Sequence, residues 1–132
     1  MEGQADPIAP QIDLKHPELS DYLRFSLDLF NHHYYWESHV YLEALWNAHH
    51  RQGSVADFLK ALIKLAAAAI KLQLDQKNIA FDHILRAKEL LTSVIAIEGD
   101  QFLGFNLKDL NQQLGDLSAE NLSIFPLYPT WK

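Results

Sequence analysis

The sequence predicts an all-α protein: a single antiparallel bundle of four main helices, followed by a short C-terminal helix and an extended tail. Three observations carry that expectation. All five prolines lie near the ends (Pro7, Pro10, Pro17, Pro126 and Pro129), so residues 18–125 hold none. Proline inside a helix costs about 3 kcal/mol, so its absence leaves the interior free to be helical. That interior is rich in Leu, Ala, Glu, Lys and Gln, and its apolar residues recur at steps of three and four. No strand-like alternation of β-branched residues competes with this pattern, and short connections make neighbouring helices antiparallel.

Residues 1–15 are expected to form an extended arm. A helix then begins with Pro17 at its first position, and Glu18 and Asp21 complement the positive end of its dipole. Leu19, Tyr22, Leu23, Ser26 and Phe30 trace its inner face, which ends near Asn31. A second helix spans about 34–50, and Gly53 breaks it. Ser54 and Asp57 have the spacing of a capping box and open a third helix over about 55–75. This third helix is apolar nearly all round from Phe58 to Leu72, which suits the buried centre of a bundle, and Ala66 to Ala69 admit a close neighbour. Asn78 is read as the cap of a fourth helix over about 79–97, and Gly99 and Gly104 bracket a loop. Asn106 with Asp109 caps a short fifth helix that turns Leu107, Leu110 and Leu114 inward and ends at Gly115. The helical domain thus covers 16–117. The remaining stretch, 118–132, is apolar and proline-broken from Ile124 to Trp131; it is expected to lie extended against the bundle, the alternative being contact with a partner.

At 132 residues the chain is one domain, with 48% hydrophobic and 21% charged residues, as in an ordinary globule. No apolar run is long enough to span a bilayer, so no membrane association is expected. Met1 to Ile12 lacks the basic-then-apolar layout of a signal peptide, which points to the cytoplasm. The absence of cysteine excludes disulfides, thiolate metal sites and cysteine nucleophiles together. Eleven basic against seventeen acidic residues give a net charge of −6, and no basic stripe with interleaved aromatics appears. Nucleic acid, whose binding relies on clustered Lys and Arg, is therefore not expected as a partner.

Chemistry concentrates in residues 30–46. On a helix, Trp36, His39, Glu43, Trp46 and His50 fall on one stripe, with Tyr35, Leu42, Leu45 and His49 on a second beside it. An imidazole and a carboxylate four apart, framed by two indoles, imply either a site or a buried polar network, because an unpaired buried polar group costs about 1–3 kcal/mol. As a metal site, His39 and Glu43 supply two ligands from adjacent turns, and Glu37, His33 or His83 is left to supply a third, although Glu37 lies well round the helix. Neither the His-Glu-x-x-His pattern of zinc proteases nor the paired Glu-x-x-His of di-iron bundles is present. As a polar network, His39 and Glu43 bond to each other, to Lys64 or Lys71, and to the indoles of Trp36 and Trp46. Lys60, Lys64 and Lys71 read equally as a solvated edge or as counter-charges to Glu37 and Glu43. The remaining histidines, His16, His32, His33, His49 and His50, sit at helix boundaries as solvated or capping residues. No nucleophile elbow and no phosphate-cradling glycine loop occurs.

The run His39-x-x-x-Glu43-x-x-Trp46, preceded by Phe30-Asn31 and Tyr35-Trp36-Glu37, resembles the bacterial and archaeal family called domain of unknown function 309. Two later pieces follow in order, Ala61-Leu62-Ile63-Lys64-Leu65-Ala66 and then Lys77-Asn78 with Arg86-Ala87, so that the resemblance covers about residues 19–92. It implies an all-α fold and suggests that the His and Glu of the motif hold a divalent metal. Three positions depart from the family pattern: Val40 replaces a Glu, Lys64 a Gln and Lys71 a His. Each change removes a potential ligand, and two add a cation.

Two functions are therefore expected. The first is a structural or interaction module, with no catalytic residues and no cofactor, braced by a polar network of His39, Glu43, Glu37, Trp36, Trp46, Lys64 and Lys71; its partner is another protein, a second copy or a small ligand. The alternative is a divalent-metal-binding protein or metal-dependent enzyme built on His39 and Glu43.

Overall fold

A computed structural model of the chain describes residues 18–49, 52–118 and 120–127. The expected arm 1–15, the roles of His16, Pro17 and His50, the inward placement of Leu19 and the end of the tail from Tyr128 to Lys132 lie outside the described residues. The elements run α1 (Glu18–Asn31), α2 (Tyr35–Ala48), α3 (Gly53–Gln73), α4 (Lys77–Glu98), β1 (Gln101–Phe102), β2 (Phe105–Asn106) and α5 (Leu107–Gly115). This is the helical bundle of four main helices and a short fifth that the apolar spacing predicts.

Helical periodicity places the core. Leu23, Leu27 and Phe30 of α1 are buried, as are Leu42 and Leu45 of α2. On α3 burial extends from Ala56 to Ala69 over more than one face, because α2 packs on one side of it and α4 on the other. The α3–α4 interface is the most extensive in the bundle, and small side chains explain why: Ala61, Ala66, Ala68 and Ala69 of α3 and Ala80 and Ala87 of α4 are all buried. Leu107, Leu110 and Leu114 carry α5 onto the same core.

The α1–α2 and α3–α4 connections are tight turns of one kind. Tyr34 N–H donates to Leu29 O and His33 N–H to Phe30 O; past α3, Gln76 N–H donates to Lys71 O and Asp75 N–H to Leu72 O. Both are Schellman endings, which need a left-handed residue after the cap, and His33 (φ 69°) and Asp75 (φ 58°) occupy that position in place of glycine. These turns displace two expected caps. Asn78 lies inside the first turn of α4, whose cap is Gln76, and Ser54 lies inside α3, which starts at Gly53 with Gln52 as its cap. Neither Gln makes a side-chain capping bond. Gly53 therefore opens α3 rather than breaking α2, which has already ended at Ala48. The cap read at Asn106 is present, its Oδ1 accepting from Asp109 N–H at 3.0 Å.

Between Gly99 and Asn106 the expected loop is instead a two-stranded hairpin, with Gln101 opposite Asn106 and Phe102 opposite Phe105. Its turn residues Leu103 and Gly104 have φ of 48° and 84°, matching the right-handed twist of the strands. The hairpin sets Phe102 and Phe105 against Phe58 of α3, with ring centroids 5.8 and 5.3 Å away. Beyond α5, the segment from Ile124 to Leu127 crosses back to α1. Leu127 is buried, and Asn31 grips its backbone: the side-chain amide donates to Leu127 O at 2.9 Å while its oxygen accepts from Leu127 N–H at 2.8 Å. Among the described residues no helix is long and apolar enough to cross a membrane.

Candidate functional site

The two stripes of α2 divide the helix between core and solvent. Leu42 and Leu45 are fully buried, and Tyr35 packs edge-on against Phe30 at 5.1 Å. Ser38 fixes the pitch of α2 against α1: its hydroxyl donates to Ser26 O at 2.8 Å, and the Ser26 hydroxyl donates to Tyr22 O at 3.0 Å. The stripe of Trp36, His39, Glu43 and Trp46 is thereby left at the outer edge. Trp36 is 48% exposed, not the core anchor that its size suggests, and its ring lies parallel to that of His39 at 5.9 Å. Trp46 is partly buried and has Lys60 Nζ of α3 4.3 Å from its ring centroid, a cation–π contact.

His39 sits where this edge meets α3. Its Nδ1 is buried and has no hydrogen-bond partner among the described residues; Glu43 Oε1 stands 3.7 Å away, too far for a hydrogen bond. Glu43 itself is half-exposed. Burial lowers the His39 pKa from its ordinary value; Glu43 opposes that shift, while Lys60 and Lys64 add to it. On α4, burial also lowers the pKa of His83, and Lys64, Lys71 and His39 add to that effect against Asp82. Lys64, between them, is lowered by burial and by the like charges of Lys60 and Arg86. Docking of α2, α3 and α4 side by side thus brings His39, Lys60, Lys64, His83 and Arg86 into one electrostatic neighbourhood, with Lys71 at its far end.

The expected site residues therefore separate. His39, Glu43, Trp36, Trp46 and Lys64 belong to this face, and Lys71 acts on His83 rather than on His39. Glu37 lies in the first turn of α2, where its charge complements the helix dipole. His33 is held at the α1–α2 turn, stacked on Tyr35 at 5.6 Å. Zinc or iron takes about three protein ligands, and among the described residues no three of His, Cys, Asp or Glu are grouped to hold a metal ion. The charges that Lys60 and Lys64 direct at His39 also disfavour a cation beside it.

Sequence reasoning missed Arg86, which carries a signal all the same: it lies three residues after His83, on the same side of α4. A separate groove of about 280 Å³ is lined by Phe105, Asp109, Leu110, Gln113 and Leu127 and includes none of the expected site residues. No curated protein and no solved structure matches the chain. A model of the family described as Domain of unknown function (DUF309) does match over residues 23–82, from α1 into the start of α4, so that this stretch of the chain is similar to that family.

Proposed function

We propose that this protein is a non-catalytic binding module whose ligand surface is the α2–α3–α4 face around His39. One observation supports this best: Lys60, Lys64 and His83 crowd against His39, opposed there only by Glu43 and Asp82 among the charges acting on these histidines. A bundle held by a continuous apolar core does not need that crowding, since like charges weaken folding and a neutral residue at one position would relieve them. Groups kept against the interest of stability tend to serve function. The half-exposed ring of Trp36 adds a flat apolar surface beside the cations. The polar-brace reading has less support, because a brace needs satisfied hydrogen bonds and His39 Nδ1 has none among the described residues.

Replacing Lys64→Gln tests this. The variant is expected to melt at the wild-type temperature or above it in low salt. A fall of more than about 5 °C, equivalent to about 1–2 kcal/mol, would make Lys64 a brace of the fold and refute the reading. Elemental analysis of untagged protein purified without chelator, beside His39→Ala/Glu43→Ala, tests the metal alternative. Near-stoichiometric metal in the wild type, lost in the double variant, would put a metal centre in place of the binding face.

A further inference from the structure

Independently of the His39 face, we propose that the groove between α5 and the segment 124–127 seats the next residues of the same chain, Tyr128-Pro129-Thr130-Trp131-Lys132. The groove has a volume of about 280 Å³. Buried Phe105, Leu110 and Leu127 form its floor, and Asn106, Asp109 and Gln113 stand exposed along its rim. Sites that enclose a small molecule run to about 300–1,000 Å³, so this one suits a ring laid along an apolar floor better than a free ligand.

Position, pattern and charge all select this occupant. Leu127 is part of the groove's own wall, so the residues after it start at the site and meet it at high effective concentration. In an extended chain alternate side chains share a face, which puts Leu127, Pro129 and Trp131 on one side and Tyr128, Thr130 and Lys132 on the other. The first set is wholly apolar, and every member of the second ends in a polar group. Pro129 removes a backbone donor and biases Tyr128 toward extended backbone. Four extended residues span about 13 Å, which carries Trp131 along the run from Asn106 to Gln113, about 10 Å of helical rise. Asp109 and Gln113 then offer acceptors to the indole N–H. Among the described residues lining the groove, Asp109 alone is charged, and Lys132 is the one charged residue of the segment. Residues 1–17 fit less well: they join the bundle at α1, and Glu2, Asp6 and Asp13 would bring carboxylates to Asp109.

The experiment is NMR on the full chain, with isotope-labelled and unlabelled protein mixed so that nuclear Overhauser contacts within one chain are separated from those between copies. Contacts within one chain are expected from the Trp131 indole to the methyl groups of Leu110 and Leu127. Trp131→Ala should move the amide signals of residues 105–113, leave those of α2 in place and lower the melting temperature by about 5 °C. Trp131→Phe, which keeps an aromatic ring, should restore most of the change. The proposal is overturned if the indole makes no contact with Leu110 or Leu127 within a chain, or if Trp131→Ala leaves the amides of 105–113 where they are. Contacts that run only between copies would also overturn it, by giving the groove to the tail of a second molecule.

Discussion

Replacing Asn31→Ala removes both hydrogen bonds that hold the backbone of Leu127, 96 residues further along the chain. Each is a neutral, part-buried bond with a net contribution of about 0.5–1.5 kcal/mol, so the pair contributes about 1–3 kcal/mol. The effect extends beyond the bonds themselves. Burying Leu127 contributes about 2 kcal/mol, whereas ordering each residue of the segment from Ile124 to Leu127 costs about 1–2 kcal/mol of backbone entropy. Partial burial of Ile124 and Phe125 brings these two sides close to balance, and the Asn31 bonds decide whether the segment stays docked. For a chain of this length, a loss of 2 kcal/mol lowers the melting temperature by roughly 6–10 °C. Asn31→Asp should cost at least as much at neutral pH, because a second carboxylate oxygen would then face Leu127 O. Urea unfolding gives the energy, and hydrogen exchange at the Leu127 amide reports the docking directly. Leu127→Ala combined with Asn31→Ala should cost less than the two single changes added, since either alone frees the segment. The reasoning fails if Asn31→Ala stays within about 0.5 kcal/mol of wild type, the size of an ordinary surface change, and the Leu127 amide keeps its protection.

Two other outcomes follow from the same structure. His39 and His83 both titrate below their ordinary value of 6.5 when folded, so the unfolded chain binds more protons than the folded one. Stability therefore rises with pH: it is fully present above about 6.5 and is lost as the pH falls below that value toward the folded pKa values. Urea midpoints at pH 5.5 and 7.5 measure the slope, and His39→Gln/His83→Gln should flatten it; an unchanged slope in that variant would assign the dependence to other groups. At the α1–α2 turn, His33 holds φ of 69°, a conformation that costs an ordinary residue about 1–2 kcal/mol and glycine almost nothing. His33→Gly loses the stack on Tyr35 and adds freedom to the unfolded chain, so the expected net gain is about 0.5–1 kcal/mol, seen as a higher urea midpoint; a lower midpoint would show that the stack outweighs the strain.

The bundle was legible because its signal is local and repeated. Three- and four-residue spacing in α1, α3 and α4 depends only on which residues are apolar, and the cap at Asn106 works through a bond three residues away. Readings failed where the deciding partner was remote or the segment short. Strands of two residues have no period, and the turn between them uses Leu103 where an Asn would have announced it. Ser54 and Asn78 look like caps, yet the chain enters α3 one residue before Ser54, and the turn at Asp75 delivers it into α4 one residue before Asn78. Asn31 stands in the recognised run, but its partner Leu127 lies at the far end of the sequence. Trp36 shows a different limit. Periodicity gives α2 two stripes and no rule for choosing between them; the choice comes from docking on α1 and α3, which buries Leu42 and Leu45 and leaves the Trp36 indole half outside.

That choice bears on function. Had Trp36, His39 and Glu43 faced inward, burial would have forced each polar atom into a hydrogen bond and made the motif a brace. At the edge instead, Trp36 and Glu43 are about half exposed while His39 stays partly buried, and their neighbours are set by how α3 and α4 dock. The alanine-lined α3–α4 contact brings Lys64 within the electrostatic reach of Arg86 and His83. The surface is therefore assembled by helix packing while its charges oppose one another.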